Sequence, residues 1–125
     1  MALVEIDRKK VTVATVVAPQ QPTGYISAFA YYNPASGDWE VSAPTDVPVG
    51  EQIGVMGYAV NSSAFALTLR MDALIELPSG GTTTYQGGGQ EAAPGDQVAW
   101  AFDWYALPSL GEGTYEATLI LYAVT

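Results

Sequence analysis

The chain has 125 residues, with 4 Lys and Arg against 13 Asp and Glu, a net charge of −9, and neither histidine nor cysteine. Its 49% apolar content is enough for one buried core, and folding at this length removes roughly two-thirds of the unfolded surface from water. The missing residue types exclude disulfides, thiolate nucleophiles, histidine general bases, Ser-His-Asp and Cys-His catalysis, and zinc or iron sites built on imidazole or thiolate; the acidic surface opposes nucleic acid, which is bound by cations that neutralise phosphates.

Residues 1–10 hold Arg8, Lys9 and Lys10 against Glu5 and Asp7, a net of +1, which leaves −10 on the rest of the chain, where Arg70 is the only cation. The basic cluster reads either as a solvated tip or as an arm that docks on an acidic surface, such as that of a neighbouring copy. KVTVATVV, residues 10–17, alternates as a strand does and lacks the solid apolar block of a secretory signal. An isolated strand is unstable in water, so the arm is expected to add to a sheet edge or to lie across another subunit. No run of 18 apolar residues occurs, and no membrane span is expected.

YISAFAYY (25–32), the turn NPASGD (33–38) and a short piece at Trp39–Val41 read as a hairpin with Tyr31, Tyr32 and Trp39 as its exposed rings. These three join Arg8, Lys9 and Lys10 as candidates for contact with an assembly. The Pro-rich PTDVPVG (44–50) marks a boundary, dividing one domain into an arm and hairpin (1–43) and a sandwich core (44–125). Residues 51–60 place Ile53, Val55 and Ala59 inward, with Gly54 and Gly57 admitting a close neighbour or a bulge. Asn61-Ser62-Ser63 matches a glycosylation acceptor and reads as a turn. Residues 65–77 set Leu67, Leu69, Met71, Ala73, Ile75 and Leu77 against Thr68, Arg70, Asp72 and Glu76, with Leu74 on the polar side as a hint of a second contact surface. Gly87-Gly88-Gly89 has neither the Lys nor the Ser/Thr of a phosphate loop and reads as a flexible connection. The clearest alternation is VAWAFDW (98–104), which gathers Val98, Trp100, Phe102 and Trp104 on one face as core. In 115–123 both faces are largely apolar, the mark of a central or covered strand. Turn signals every 10–15 residues and no helical periodicity make the fold class all-β.

From about residue 47 the order VPVGEQIGVMGYAVN, FALTLRMDALIELPSG, APGDQVAWAFDWYALPSLGEGTYEATLILYA resembles an immunoglobulin-like or fibronectin-III-like antiparallel β-sandwich. LPSLGEGTYEATLILYA is similar to the end of many such domains, and the resemblance makes Tyr115 the candidate tyrosine corner, its hydroxyl bonded to backbone a few residues upstream. It covers about 80 of the 125 residues, rests on structural motifs, and lacks the cysteine pair of antibody domains. Cys-free, acidic domains of this kind also resemble the accessory, or decoration, proteins of tailed-phage particles. That likeness implies a multi-copy or homo-oligomeric subunit, assembled in a host cytoplasm onto a virion, with a major capsid protein as its partner.

Without histidine and cysteine, catalysis falls to carboxylates. Asp38/Glu40 and Asp103/Glu112 are the pairs to weigh for glycoside hydrolysis, but thirteen acids in a small domain make close pairs expected. NPASGD and APGDQ hold one acid each, and no D-x-D-x-D-G run occurs, which leaves at most a weak calcium site. The expectation is therefore a non-enzymatic structural or interaction protein with no cofactor, a decoration subunit joined through its arm. The alternative is a carbohydrate-binding or cell-adhesion module at a cell surface, with Tyr31, Tyr32 or Trp39 stacking on sugar rings.

Overall fold

The structure, a computed structural model, describes residues 2–15 and 21–124. Eight strands and one 3₁₀ turn (Pro108–Leu110) make up its regular structure: β1 (Gly24–Asn33), β2 (Asp38–Glu40), β3 (Gln52–Asn61), β4 (Leu67–Glu76), β5 (Thr82–Gln86), β6 (Gln90–Ala92), β7 (Gln97–Tyr105) and β8 (Glu116–Val124). All pairings are antiparallel. One sheet runs β2-β1-β3-β7; in the other, β4 is central, with β8 along one side and β5 and β6 in succession along the other. This is an all-β, two-sheet sandwich.

The period-2 patterns decide which side chains meet between the sheets. On β4, Leu69, Met71, Ala73 and Ile75 are buried; on β7, Trp100 and Phe102; on β3, Val55 and Ala59. The register sets Val55 beside Phe102 and Gly57 beside Trp100, so both strands turn the same set inward. Gly57 belongs to that inner face: a Cβ there would collide with the Met71 sulfur and crowd Leu119. Its bare backbone lets the second sheet approach. No bulge breaks β3; the irregularity lies in β1, between Ile26 and Ala28.

Asn61, at the end of β3, is fully buried. Its amide nitrogen donates to the carbonyls of Phe65 and Ala92, each at 2.9 Å, and its side-chain oxygen accepts from the Ser63 N–H at 2.9 Å. The acceptor-like tripeptide is thus the internal pin of a corner rather than an exposed site.

Four expectations need correction. KVTVATVV forms no strand over residues 10–15, and Val16 and Val17 lie outside the described residues. Thr82–Gln86 and Gln90–Ala92 are strands that the apolar pattern does not reveal, because they pair at the margin of β4 and need little apolar surface. The glycine run between them is packed: the Gly87 N–H donates to the Met71 carbonyl at 2.8 Å, and the Trp100 indole donates to the Gly88 carbonyl at 2.7 Å. β8, finally, is an edge strand among the described residues, so its two-sided apolar character does not come from a central position in the sheet. On the outer face of β4, Asp72 is only 6% exposed because Arg70 closes over it, 2.9 Å from its carboxylate and 5.2 Å above the Tyr122 ring.

Candidate functional site

The arm stands away from the body. Every described residue from 2 to 15 is exposed, with Leu3 at 97% and Ile6 at 93%, and Val4, Val11 and Val13 also open to water. Arg8 pairs with Glu5 at 2.6 Å, a contact in full solvent of the kind that contributes little stability. Lys9 and Lys10 form no ion pair among the described residues. The arm thus leaves five large apolar side chains in water.

The hairpin differs from its expectation. Tyr31, Tyr32 and Trp39 are half-buried, not exposed. Tyr32 and Trp39 meet edge-to-face at 5.4 Å, and the Trp39 ring lies over Gly54, where a Cβ would come within 3.0 Å. Tyr31 pairs with Val55 and so faces the space between the sheets. Tyr32 and Trp39 pack on each other and against Gly54 while Tyr31 meets Phe29 edge-to-face at 5.9 Å on the other face, so the three form no common platform. The turn is held by Glu40, which accepts from Asn33 and Ser36, both at 2.9 Å; these bonds, Asn33's first, hold its carboxyl below its ordinary pKa.

Among the described residues the sandwich closes on one flank only. Between β6 and β7 the Gln90 side chain donates to the Ala99 carbonyl, and Trp100 reaches Gly88. On the opposite flank β1 faces β8 without a ladder between them. The register with β3 turns Ile26, Phe29 and Tyr31 inward, and that with β4 turns Ala117, Leu119 and Leu121 inward. Yet Phe29 is 54% exposed, Ile26 and Ala117 are exposed, and the other three are only half-buried. Among the described residues, these core-facing side chains have no core over them. Between them runs a groove in two adjoining parts, of about 680 and 630 Å³, which share Tyr31, Val55 and Ala117 in their walls. The larger part is bordered by Asp46, Glu112 and Glu116, so its rim is acidic. At the other end the sheets meet, since a Cβ on Gly24 would lie 3.6 Å from Leu121.

Trp104 and Tyr115 line the larger part of the groove. Trp104 stacks on Tyr85 at 5.6 Å and tilts against Tyr115 at 6.2 Å. The Tyr115 hydroxyl donates to the Gly111 carbonyl, four residues upstream, at 3.1 Å, and burial pushes its phenol above the ordinary pKa. Tyr115→Phe is expected to cost about 0.5–1.5 kcal/mol in urea unfolding at neutral pH. The raised pKa means that this contribution is whole below the ordinary tyrosine range and is lost as pH rises through it. A cost near zero at neutral pH would show the hydroxyl to be idle.

Asp103 accepts from Gln52 at 2.9 Å, Glu40 is engaged in the turn, Asp38 is exposed, and Glu112 sits on the groove rim. Among the described residues no three carboxylates gather as a cation site, and no helix is long and apolar enough to cross a membrane. The site that the sequence did not reveal is the flank itself, made by Ile26, Phe29, Ala117 and Leu119. Its one legible sign was the two-sided apolar character of 115–123.

No family model, no curated protein and no solved structure matches this chain. Fold and site together define a class: an antiparallel two-sheet sandwich with one unclosed flank and a detached, exposed amino-terminal arm.

Proposed function

We propose that the protein is a non-enzymatic structural subunit that joins a larger protein assembly through its amino-terminal arm, as an accessory or decoration subunit with an immunoglobulin-like body would on a virus particle. The observation that carries this reading is the arm: Leu3, Val4, Ile6, Val11 and Val13 stand in water although the body has a buried core to offer. The Tyr115–Gly111 bond supports the immunoglobulin-like part of the reading. The arm's charge supports the rest, because a body at −10 repels its own kind and Arg8, Lys9 and Lys10 are the cluster able to offset that locally.

The test is sedimentation of tagged full-length chain and of chain lacking residues 2–10, each expressed in the producing cells, with circular dichroism as a check of folding. The truncated chain is expected to stay folded and soluble and to leave the fast-sedimenting particle fraction. Charge reversal at Arg8, Lys9 and Lys10 is expected to weaken joining most at low salt. Undiminished sedimentation of the truncated chain overturns the reading.

A further inference from the structure

β8 has the sequence of a central strand in the position of an edge. It pairs with β4 along its whole length, from Thr68 opposite Val124 to Glu76 opposite Glu116, and no strand lies on its other side among the described residues. Sheet edges are ordinarily blunted by lysine, proline, bulges or inward charges, because a row of free N–H and C=O groups invites another strand. EATLILYAV has none of these devices; its single charge is Glu116, at the start. The neighbouring edge of β1 is protected by comparison, by the slip between Ile26 and Ala28 and by β2 over Tyr31–Asn33.

We propose that the strand missing from this edge is the arm of a second copy of the same chain, an inference that rests on reading the arm as the assembly contact. In the arm, Ala2, Val4 and Ile6 fall on one side of an extended chain and Leu3, Glu5 and Asp7 on the other. Laid antiparallel along β8, the segment sets Val4 and Ile6 over the groove, where Phe29, Ala117 and Leu119 lack cover. The same direction carries Arg8, Lys9 and Lys10 to the start of β8, beside Asp46, Glu112 and Glu116 on the acidic rim. The parallel direction carries them to the opposite end, away from those carboxylates. The chain's own arm does not take the place, since all its described residues are exposed. Strand addition of this kind draws affinity from main-chain hydrogen bonds and selectivity from alternate side chains in pockets. Each copy then donates an arm at one point and receives one at another. The exchange is reciprocal in a two-fold dimer, or runs head-to-tail and closes into a ring or continues as a filament according to its rotation.

The test uses full-length chain in light scattering after size exclusion, over a concentration series. The wild type is expected to gain mass with concentration. Ile6→Asp spoils the donor, and Ala117→Lys, at an exposed position, fills the receiver; each alone is expected to remain monomeric with an unchanged circular dichroism spectrum. Mixed one to one, they are expected to form a dimer and stop there, because only the intact arm of one fits the intact groove of the other. A wild type that is monomeric at every concentration overturns the inference, as do variants that associate like the wild type or a mixture that stays monomeric. If the chain is monomeric yet loses its assembly when residues 2–10 are removed, the inference alone fails. If copies associate through the arm yet truncated chain still sediments with particles, the assembly reading alone fails.

Discussion

Trp100→Ala is expected to lower the free energy of unfolding by about 3–5 kcal/mol, against a total of about 5–15 kcal/mol for a domain of this kind. The indole is 6% exposed and sits in the cluster with Val55, Leu69, Met71, Ala73, Ile75 and Phe102. Its removal leaves a cavity that the sheets cannot collapse into, because both are tied by long ladders. It also takes the donor from the Gly88 carbonyl, releasing the connection that seals the β6–β7 flank. Urea unfolding followed by far-ultraviolet circular dichroism measures the cost. A loss below about 1 kcal/mol would match a surface substitution and would refute the burial.

Asn61→Asp is expected to cost about 3 kcal/mol or more at neutral pH, since it replaces a buried donor to two carbonyls by an acceptor. A carboxylate in that place faces the Phe65 and Ala92 oxygens without a proton between them. The variant's carboxyl is therefore held protonated to higher pH in the folded chain than in the unfolded one, and its deficit shrinks as pH falls toward the ordinary aspartate range. Asn61→Ala, which has nothing to titrate, is expected to be destabilised without that pH dependence. Comparing the two variants across pH checks the geometry of the corner directly; parallel curves would mean that the two carbonyls are satisfied some other way.

The strands that were legible in the amino-acid sequence are those that bury one face and leave the other to water. Trp100 and Phe102 alternate with Ala99, Ala101 and Asp103, and Leu69, Met71 and Ile75 with Arg70 and Asp72, so period alone places them. Thr82–Gln86 was hidden because its order comes from pairing with Asp72–Glu76 rather than from its own apolar content. The opposite case is KVTVATVV, where alternation is present but residues 10–15 have no partner strand among the described residues. Alternation shows that a segment is able to pair, and the neighbour decides whether it does. Tyr31, Tyr32 and Trp39 differ from expectation for a related reason: ring-bearing residues near a turn look exposed until Gly54 makes room for Trp39 to fold over the sheet. The open flank was illegible because it is a property of two strands far apart in the chain, Gly24–Asn33 and Glu116–Val124, that share a side without sharing a ladder.

The three tryptophans occupy three different surroundings, and each is a built-in fluorophore for one part of the molecule. Trp39 reports on the hairpin through its contact with Tyr32, and Trp100 on the sealed interior. Trp104, between Tyr85 and Tyr115, looks into the groove. Chains that keep one indole and carry phenylalanine at the other two positions would therefore give separate optical readings of turn, core and flank without any added label. Emission from Trp104 alone would then shift when something settles against the open side, while that from Trp100 would stay silent until the whole fold gives way.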